Sequence, residues 1–228
     1  MQELYLIRHG QAGSRTDYDR LSELGHRQAQ LLSKWFEEQG IQFDQVMSGD
    51  LRRQKETAAA LSRDTVSNPQ WNEFDLDAVY GCVAPQLSVI DENFRAEYEV
   101  MLQAVADPDN AIHRRWLSSD FALVQAWVAG RFEVECETWL GFHQRILGAL
   151  DSLESYSDAQ RIAIVTSATP IGISTAKLFE APVPKVFELA GSLHNSSFTV
   201  FRRRQTGWSL AGFNHTPHLG EEKLRTMR

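Results

Sequence analysis

At 228 residues the chain has the length of one large domain, or of one domain carrying a sizeable insertion, and it can bury a real core. Its formal net charge of -7 argues against nonspecific nucleic-acid binding, although a basic pocket within an acidic shell stays compatible with it. Cys82 and Cys136 are too few for a disulfide framework and have no metal-ligand spacing, so a reduced, cytoplasmic setting is expected. No leader-like segment precedes the first apolar run, and no run is long enough to span a bilayer.

Leu4 to Ile7 reads as a buried strand that stops at Arg8, His9 and Gly10. Residues 11 to 20, with Gly13, Ser14 and two aspartates, read as a loop. Ser22 is a plausible cap for a helix running to about Gly40, with Leu24, Leu31, Leu32, Trp35 and Phe36 on one face. Phe43 to Met47 predicts a short second strand, and Ser48-Gly49-Asp50 turns into a helix from Leu51 to about Ser62. Thr65-Val66 begins a third extended piece.

Between Asp75 and Tyr156 the pattern changes to three predicted helices, near residues 91–106, 114–129 and 137–155. The loops among them contain Pro85, Pro108 and Gly130. The last helix is expected to serve as core, and the earlier part, about 75–135, to form a mainly helical cap that selects substrate within a single domain of residues 1–228. Arg161 to Thr166 is a further apolar strand, leading through Ser167, Ala168 and Thr169 to Pro170, which suits a first helical turn. Residues 196–203 and 207–213 alternate around a turn and predict a closing hairpin. The order implies an α/β fold: a three-layer sandwich with a mostly parallel central sheet flanked by helices, plus the helical cap.

Open α/β sheets place their ligands at the ends of parallel strands. There Arg8 offers a planar fork matched to phosphate oxygens, His9 can attack phosphorus or move a proton, and Gly10 lets the backbone turn sharply. The tripeptide suggests an anion held beside a nucleophile. By itself it is weak, since such an arginine is often a surface ion-pair partner and such a histidine a bonded core residue.

Three further blocks follow it: Leu21-Ser22-Glu23-Leu24-Gly25-His26-Arg27-Gln28-Ala29, then Ser48-Gly49-Asp50-Leu51-Arg52-Arg53-Gln54-Lys55-Glu56-Thr57-Ala58, then Trp71-Asn72-Glu73-Phe74. In that order and spacing the chain resembles, nearly end to end, the histidine phosphatase superfamily, the fold of cofactor-dependent phosphoglycerate mutases and many phosphatases. It is similar to a bacterial branch in Leu51 to Gln54, in Asn72 to Asp75 and in Phe213-Asn214. The resemblance implies that His9 is the nucleophile forming a phosphohistidine, and that Arg8 and Arg53 clamp the phosphate. Arg52 competes for the second clamp, but its offset from Leu51 and Thr57 is wrong. Glu73 would protonate the leaving alkoxide and then activate water, although a solvated turn carboxylate is its plain alternative. Gln11 and Ser14 match a loop that touches substrate.

One position departs from that pattern. Where most of the superfamily has a Ser-His-Gly-like turn with a second pocket histidine, this chain reads Thr166-Ser167-Ala168, placing Ser167 at the histidine position. Serine donates one hydrogen bond but no charge, while backbone amides near Ala168, at a helix start, still favour an anion. His194 is a candidate to substitute. His215 and His218 have a loose metal-like spacing without further ligands, and Arg202 to Arg204 reads as a solvated strand end. Trp71, Trp116, Trp127 and Trp139 could line a cleft but are more simply core.

The expected function is phosphomonoester hydrolysis through His9, attenuated by Ser167, without metal or other cofactor. Its partner is a small phosphorylated substrate or inorganic phosphate, with no nucleic acid and no membrane. The alternative is a phosphate-binding sensor of the same fold with little turnover; a phosphoglycerate mutase-type transferase is less favoured. Neither substrate nor oligomeric state is legible.

Overall fold

The apolar run behind Arg8 becomes β1 (Glu3–Arg8), five of whose six residues are buried, in the computed structural model. The structure describes residues 2–14, 17–105, 107, 116–156 and 160–227. The chain divides into two compact units, one of Met1–Gly13, Tyr18–Glu73 and Ile146–Arg228, the other of Ser14–Asp17 and Phe74–Arg145.

The first unit is built on a six-stranded sheet. It comprises β1, β2 (Gln45–Ser48), β3 (Thr65–Ser67), β4 (Arg161–Thr166), β5 (Phe198–Arg204) and β6 (Gly207–His215), in the order β3-β2-β4-β1-β5-β6. β1, β2, β3 and β4 pair in parallel, while β5 runs antiparallel to both β1 and β6, so only β5 is reversed. The predicted mostly parallel sheet is what forms, and the closing hairpin turns at Gly207 with φ +115°.

Both faces of β1 and β4 are apolar, as parallel strands buried on both sides of the sheet require. One face carries Tyr5, Ile7, Val46, Ala163, Val165, Phe198 and Val200 against Leu32 and Phe36 of α1 (Glu23–Glu38) and Ala58 of α2 (Arg52–Leu61). The Phe36 ring meets Tyr5 edge-on at 5.8 Å and Phe198 at 5.1 Å. Burying each such ring contributes about 1.5–3 kcal/mol. The other face presents Leu4, Leu6, Ile162 and Ile164, all fully buried. α7 (Ala168–Leu178) packs on β1 and β6 and against α8 (Val183–Ser192). Ser22 caps α1 as expected, accepting from the Gly25 amide.

The second unit is helical: α3 (Leu76–Ile90), α4 (Glu92–Val105), α5 (Ser118–Val128) and the first turns of α6 (Trp139–Ser152). The expected end of one helix at 106, Pro108, and the start of the next at 114 lie outside the described residues. Two elements differ from expectation. Pro85 lies inside α3 instead of in a loop. Val79, Tyr80, Val83, Ala84 and Leu87 bury a continuous stripe that outweighs the hydrogen bond proline removes. α8 is absent from the predicted elements. The compact helical unit also runs to Arg145, beyond the expected boundary near 135. Its core sets Phe74 against Trp127 (4.9 Å) and Phe142 (5.6 Å), with Trp139 edge-on to Trp127. Trp71, Trp127 and Trp139 are therefore core residues, and Trp116 lies half-exposed on Phe121. Among the described residues, no helix is long and apolar enough to cross a membrane.

Candidate active site

The sheet order brings the ends of β1, β2 and β4 together, and with them the N-termini of α2 and α7. His9, just past β1, donates its amide to the Thr166 carbonyl and is 2% exposed. Its Nδ1 lies 2.7 Å from the Gly10 carbonyl, which can only accept, so this nitrogen carries the proton. That leaves a lone pair on Nε2, which receives a hydrogen bond from Arg53 Nε at 3.3 Å. Burial first, then the charges of Arg53 and Arg8, hold the imidazole pKa well below its ordinary value, so His9 is neutral near pH 7.

The backbone around His9 is fixed from several sides. Its carbonyl accepts from the Ser196 amide and from Asn195 Nδ2. The Gly10 amide donates to Thr57 Oγ1, which in turn donates to the Arg53 carbonyl. Gly10 must lack a side chain because a Cβ there would stand 2.5 Å from the Gly25 carbonyl oxygen at the start of α1.

Both candidate clamp arginines are buried. Arg53 donates Nη1 to Asp19 at 2.8 Å and lies over the Tyr18 ring at 4.8 Å. Arg52, by contrast, is exposed and paired with Glu56 of its own helix. Arg8 donates Nη1 to the Leu193 and Met227 carbonyls and Nη2 to Met227, while its buried Nε has no partner. Burial lowers the Arg8 pKa, opposed by the nearby Tyr18 and Glu73, and the guanidinium stays charged at neutral pH.

Across the site, Glu73 Oε2 accepts from the Thr169 amide in the first turn of α7 at 3.1 Å. Ser167 is the N-cap residue of α7, is buried, and accepts on Oγ from Gln54 Nε2 at 2.8 Å. Ala168 opens the helix beside it. The arrangement thus gathers an uncharged nucleophilic nitrogen, two guanidinium groups, a carboxyl and a helix N-terminus, which suits transfer of a phosphoryl group.

The remaining candidates lie elsewhere in the network. Gln11 accepts from the Ser22 hydroxyl on its side-chain oxygen, and Ser14 belongs to the second unit. His194 is bonded through its ring to Asn214 at 3.3 Å, and no hydrogen bond joins it to His9, Arg8, Arg53 or Ser167. The His215 ring lies tilted against Phe198, His218 pairs with Ser196, and no three metal-ligating groups cluster among the described residues. Arg202 of β5 pairs with Glu3 on the neighbouring strand β1. Sequence reasoning missed Asp19, Gln54, Asn195 and the Met227 carbonyl. Only Gln54 had a signal, as part of the block that carries Arg53.

His218 makes the brace behind His9 acid-sensitive. Burial lowers its pKa from 6.5 to about 4. The unfolded chain binds this proton below its ordinary pKa and the folded chain only near 4, so stability is lost as pH falls between them. At about 1.4 kcal/mol per unit the full loss is about 3.5 kcal/mol, and His9 adds to it in the same direction. Urea unfolding of His218→Gln at pH 5 and pH 7 is expected to show a flatter pH dependence than wild type.

The sequence matches the family model described as the histidine phosphatase superfamily (branch 1) over residues 4–111 and 108–216. No curated protein matches it. Among solved structures, the α-ribazole phosphatase of Shigella flexneri is similar at 19% identity and TM-score 0.62, over 93% of this chain and 96% of that one. The mycobacterial glucosyl-3-phosphoglycerate phosphatase is similar at 18% identity and TM-score 0.60, over 95% and 100%. The phosphoserine phosphatase of Entamoeba histolytica, solved with 3-phosphoglyceric acid, gives 18% identity and TM-score 0.57, over 96% and 100%. At these identities the likeness is one of fold.

Proposed function

The chain belongs to the histidine phosphatase superfamily, and on that premise we propose that it hydrolyses small phosphomonoesters through a phosphohistidine on His9. The observation that carries this reading is the His9 ring itself. Its Nδ1 proton is held by Gly10, and its Nε2 lone pair lies beside the Arg53 guanidinium. In the first step Nε2 attacks phosphorus, the bond to the leaving oxygen breaks, and Glu73 gives that oxygen its proton. In the second, the Glu73 carboxylate takes a proton from water as the water oxygen attacks phosphorus. The P–N bond then breaks and returns neutral His9 with inorganic phosphate.

Arg8 and Arg53 stabilise charge on the equatorial oxygens, assisted by the Ser167 hydroxyl and the amide of Ala168. For Arg53 the phosphate competes with the Asp19 carboxylate, and for Arg8 it takes the unpartnered Nε. The structural neighbours named above are phosphatases of small phosphate esters, which supports this substrate class. We assign substrate choice to the helical unit as a cap, and the cytoplasm as the setting. The second reading, a phosphate-binding protein with little turnover, draws on Ser167; the neutral, buried His9 Nε2 weighs against it.

Glu73→Gln tests the assignment. Its kcat/KM, which reports the leaving-group step, is expected to fall by about 10²–10⁴ for an alkyl phosphate, whose leaving group needs a proton. For p-nitrophenyl phosphate, whose leaving group does not, the loss should be about tenfold. Equal losses on both substrates would remove Glu73 from the acid role.

A further inference from the structure

Gln54 has no part in the chemistry above, yet its side chain is among the most constrained in the protein. It follows Arg53 in α2 and is fully buried. Its Nε2 donates to Ser167 Oγ at 2.8 Å and reaches the Trp71 carbonyl at 3.5 Å. A carbonyl only accepts, so these contacts settle which end of the amide is nitrogen. Ser167 Oγ therefore receives a hydrogen bond, and its own proton goes to no protein acceptor among the described residues.

The other end of the amide is anomalous. Gln54 Oε1 is buried without a hydrogen-bond partner among the described residues. A buried acceptor left unpaired costs stability, and an apolar side chain of the same shape would avoid that cost. Packing alone thus gives no reason for glutamine here, and such local conflicts concentrate at functional positions. The surrounding backbone makes room for it: a Cβ on Gly49 would stand 2.0 Å from Gln54 Oε1.

We propose that Gln54 is a positioning residue for Ser167, and that the pair occupies the place an imidazole takes in the family pattern. Gln54 fills the acceptor side of the Ser167 hydroxyl, which directs the O–H toward an equatorial oxygen of the phosphoryl group in transit to His9. No covalent bond to Ser167 forms. The hydrogen bond strengthens as negative charge develops on that oxygen, so its effect falls on kcat more than on KM. This rests on the proposed phosphatase reading.

The test is a double-mutant cycle in p-nitrophenyl phosphate turnover, with melting temperature measured for every variant. Ser167→Ala is expected to lower kcat about 10²-fold and Gln54→Met about tenfold, with KM changing less than about threefold in each. In the Ser167→Ala background Gln54→Met should cost nothing further. Its melting temperature should equal or exceed that of wild type, because the unpaired amide oxygen is gone.

Gly49→Ala, which pushes the Gln54 amide away from Ser167, provides an independent arm. It too should lower kcat only while the Ser167 hydroxyl is present. The proposal is overturned if Gln54→Met leaves kcat unchanged, or if it lowers kcat equally with and without that hydroxyl. It is likewise overturned if activity falls only in step with melting temperature. Turnover that needs His9 but ignores Gln54 defeats this inference alone. Turnover indifferent to His9→Ala defeats the phosphatase mechanism beneath it.

Discussion

His9→Ala is expected to lower kcat for p-nitrophenyl phosphate by about 10⁴-fold or more, while inorganic phosphate still binds. In the proposed mechanism the nucleophile is the Nε2 lone pair, left on that nitrogen because Nδ1 donates its proton in a hydrogen bond to the Gly10 carbonyl, and faced by Arg53 at 3.3 Å. Burial and two adjacent guanidinium groups keep the ring uncharged, so the lone pair is available at neutral pH. Alanine removes the nitrogen and leaves both arginines in place. Steady-state turnover and calorimetric titration with phosphate check the two halves separately. Unchanged turnover would mean that water attacks phosphorus directly, without His9.

Arg53→Ala is expected to lower kcat/KM about 10³-fold. Two contributions combine. The transferring phosphoryl group loses a charged, bidentate donor, and the His9 ring loses the hydrogen bond that orients it. Arg53→Lys should recover only part of the activity, because an ammonium group cannot reproduce the planar fork. Arg53→Ala also carries a sign that activity alone would not reveal. The Arg53 charge is the second cause, after burial, of the lowered His9 pKa, so removing it must raise that pKa. Histidine ring NMR across a pH titration reads the shift; a fall would contradict the geometry.

What was legible in the sequence was local. The cap at Ser22, the strand–turn–helix from β4 into α7 and the hairpin at Gly207 each depend on residues within one turn of each other. The strand ending at Arg8-His9-Gly10 belonged to the same class, and its chemistry followed from residue type. α3 escaped because Pro85 is a local signal that tertiary burial overrides. The partners that complete the site escaped for another reason. Gln54 meets Ser167 across 113 positions, and Arg8 meets Met227 across 219. Ser196, with φ +57°, reaches His218 across 22. No periodicity or spacing encodes such contacts; only the sheet order brings them together.

The two clamp arginines show how far the fold goes beyond the motif. Each is already engaged by its own chain, Arg53 by Asp19 and Arg8 by two carbonyls. The Leu193 and Met227 carbonyls hold Arg8 in a fixed orientation before any ligand arrives, whereas in the proposed mechanism the Asp19 contact on Arg53 is one that phosphate displaces.

The central claim is a covalent phosphohistidine, and the most direct measurement traps it. The Glu73→Gln enzyme, in which attack by water is slowed, is mixed with radiolabelled p-nitrophenyl phosphate, whose leaving group needs no proton, quenched in alkaline denaturant and mapped by peptide. The account predicts label on the peptide containing His9, stable in base, lost in acid and absent from His9→Ala. Turnover without label on that peptide, or label that survives the loss of His9, would contradict it.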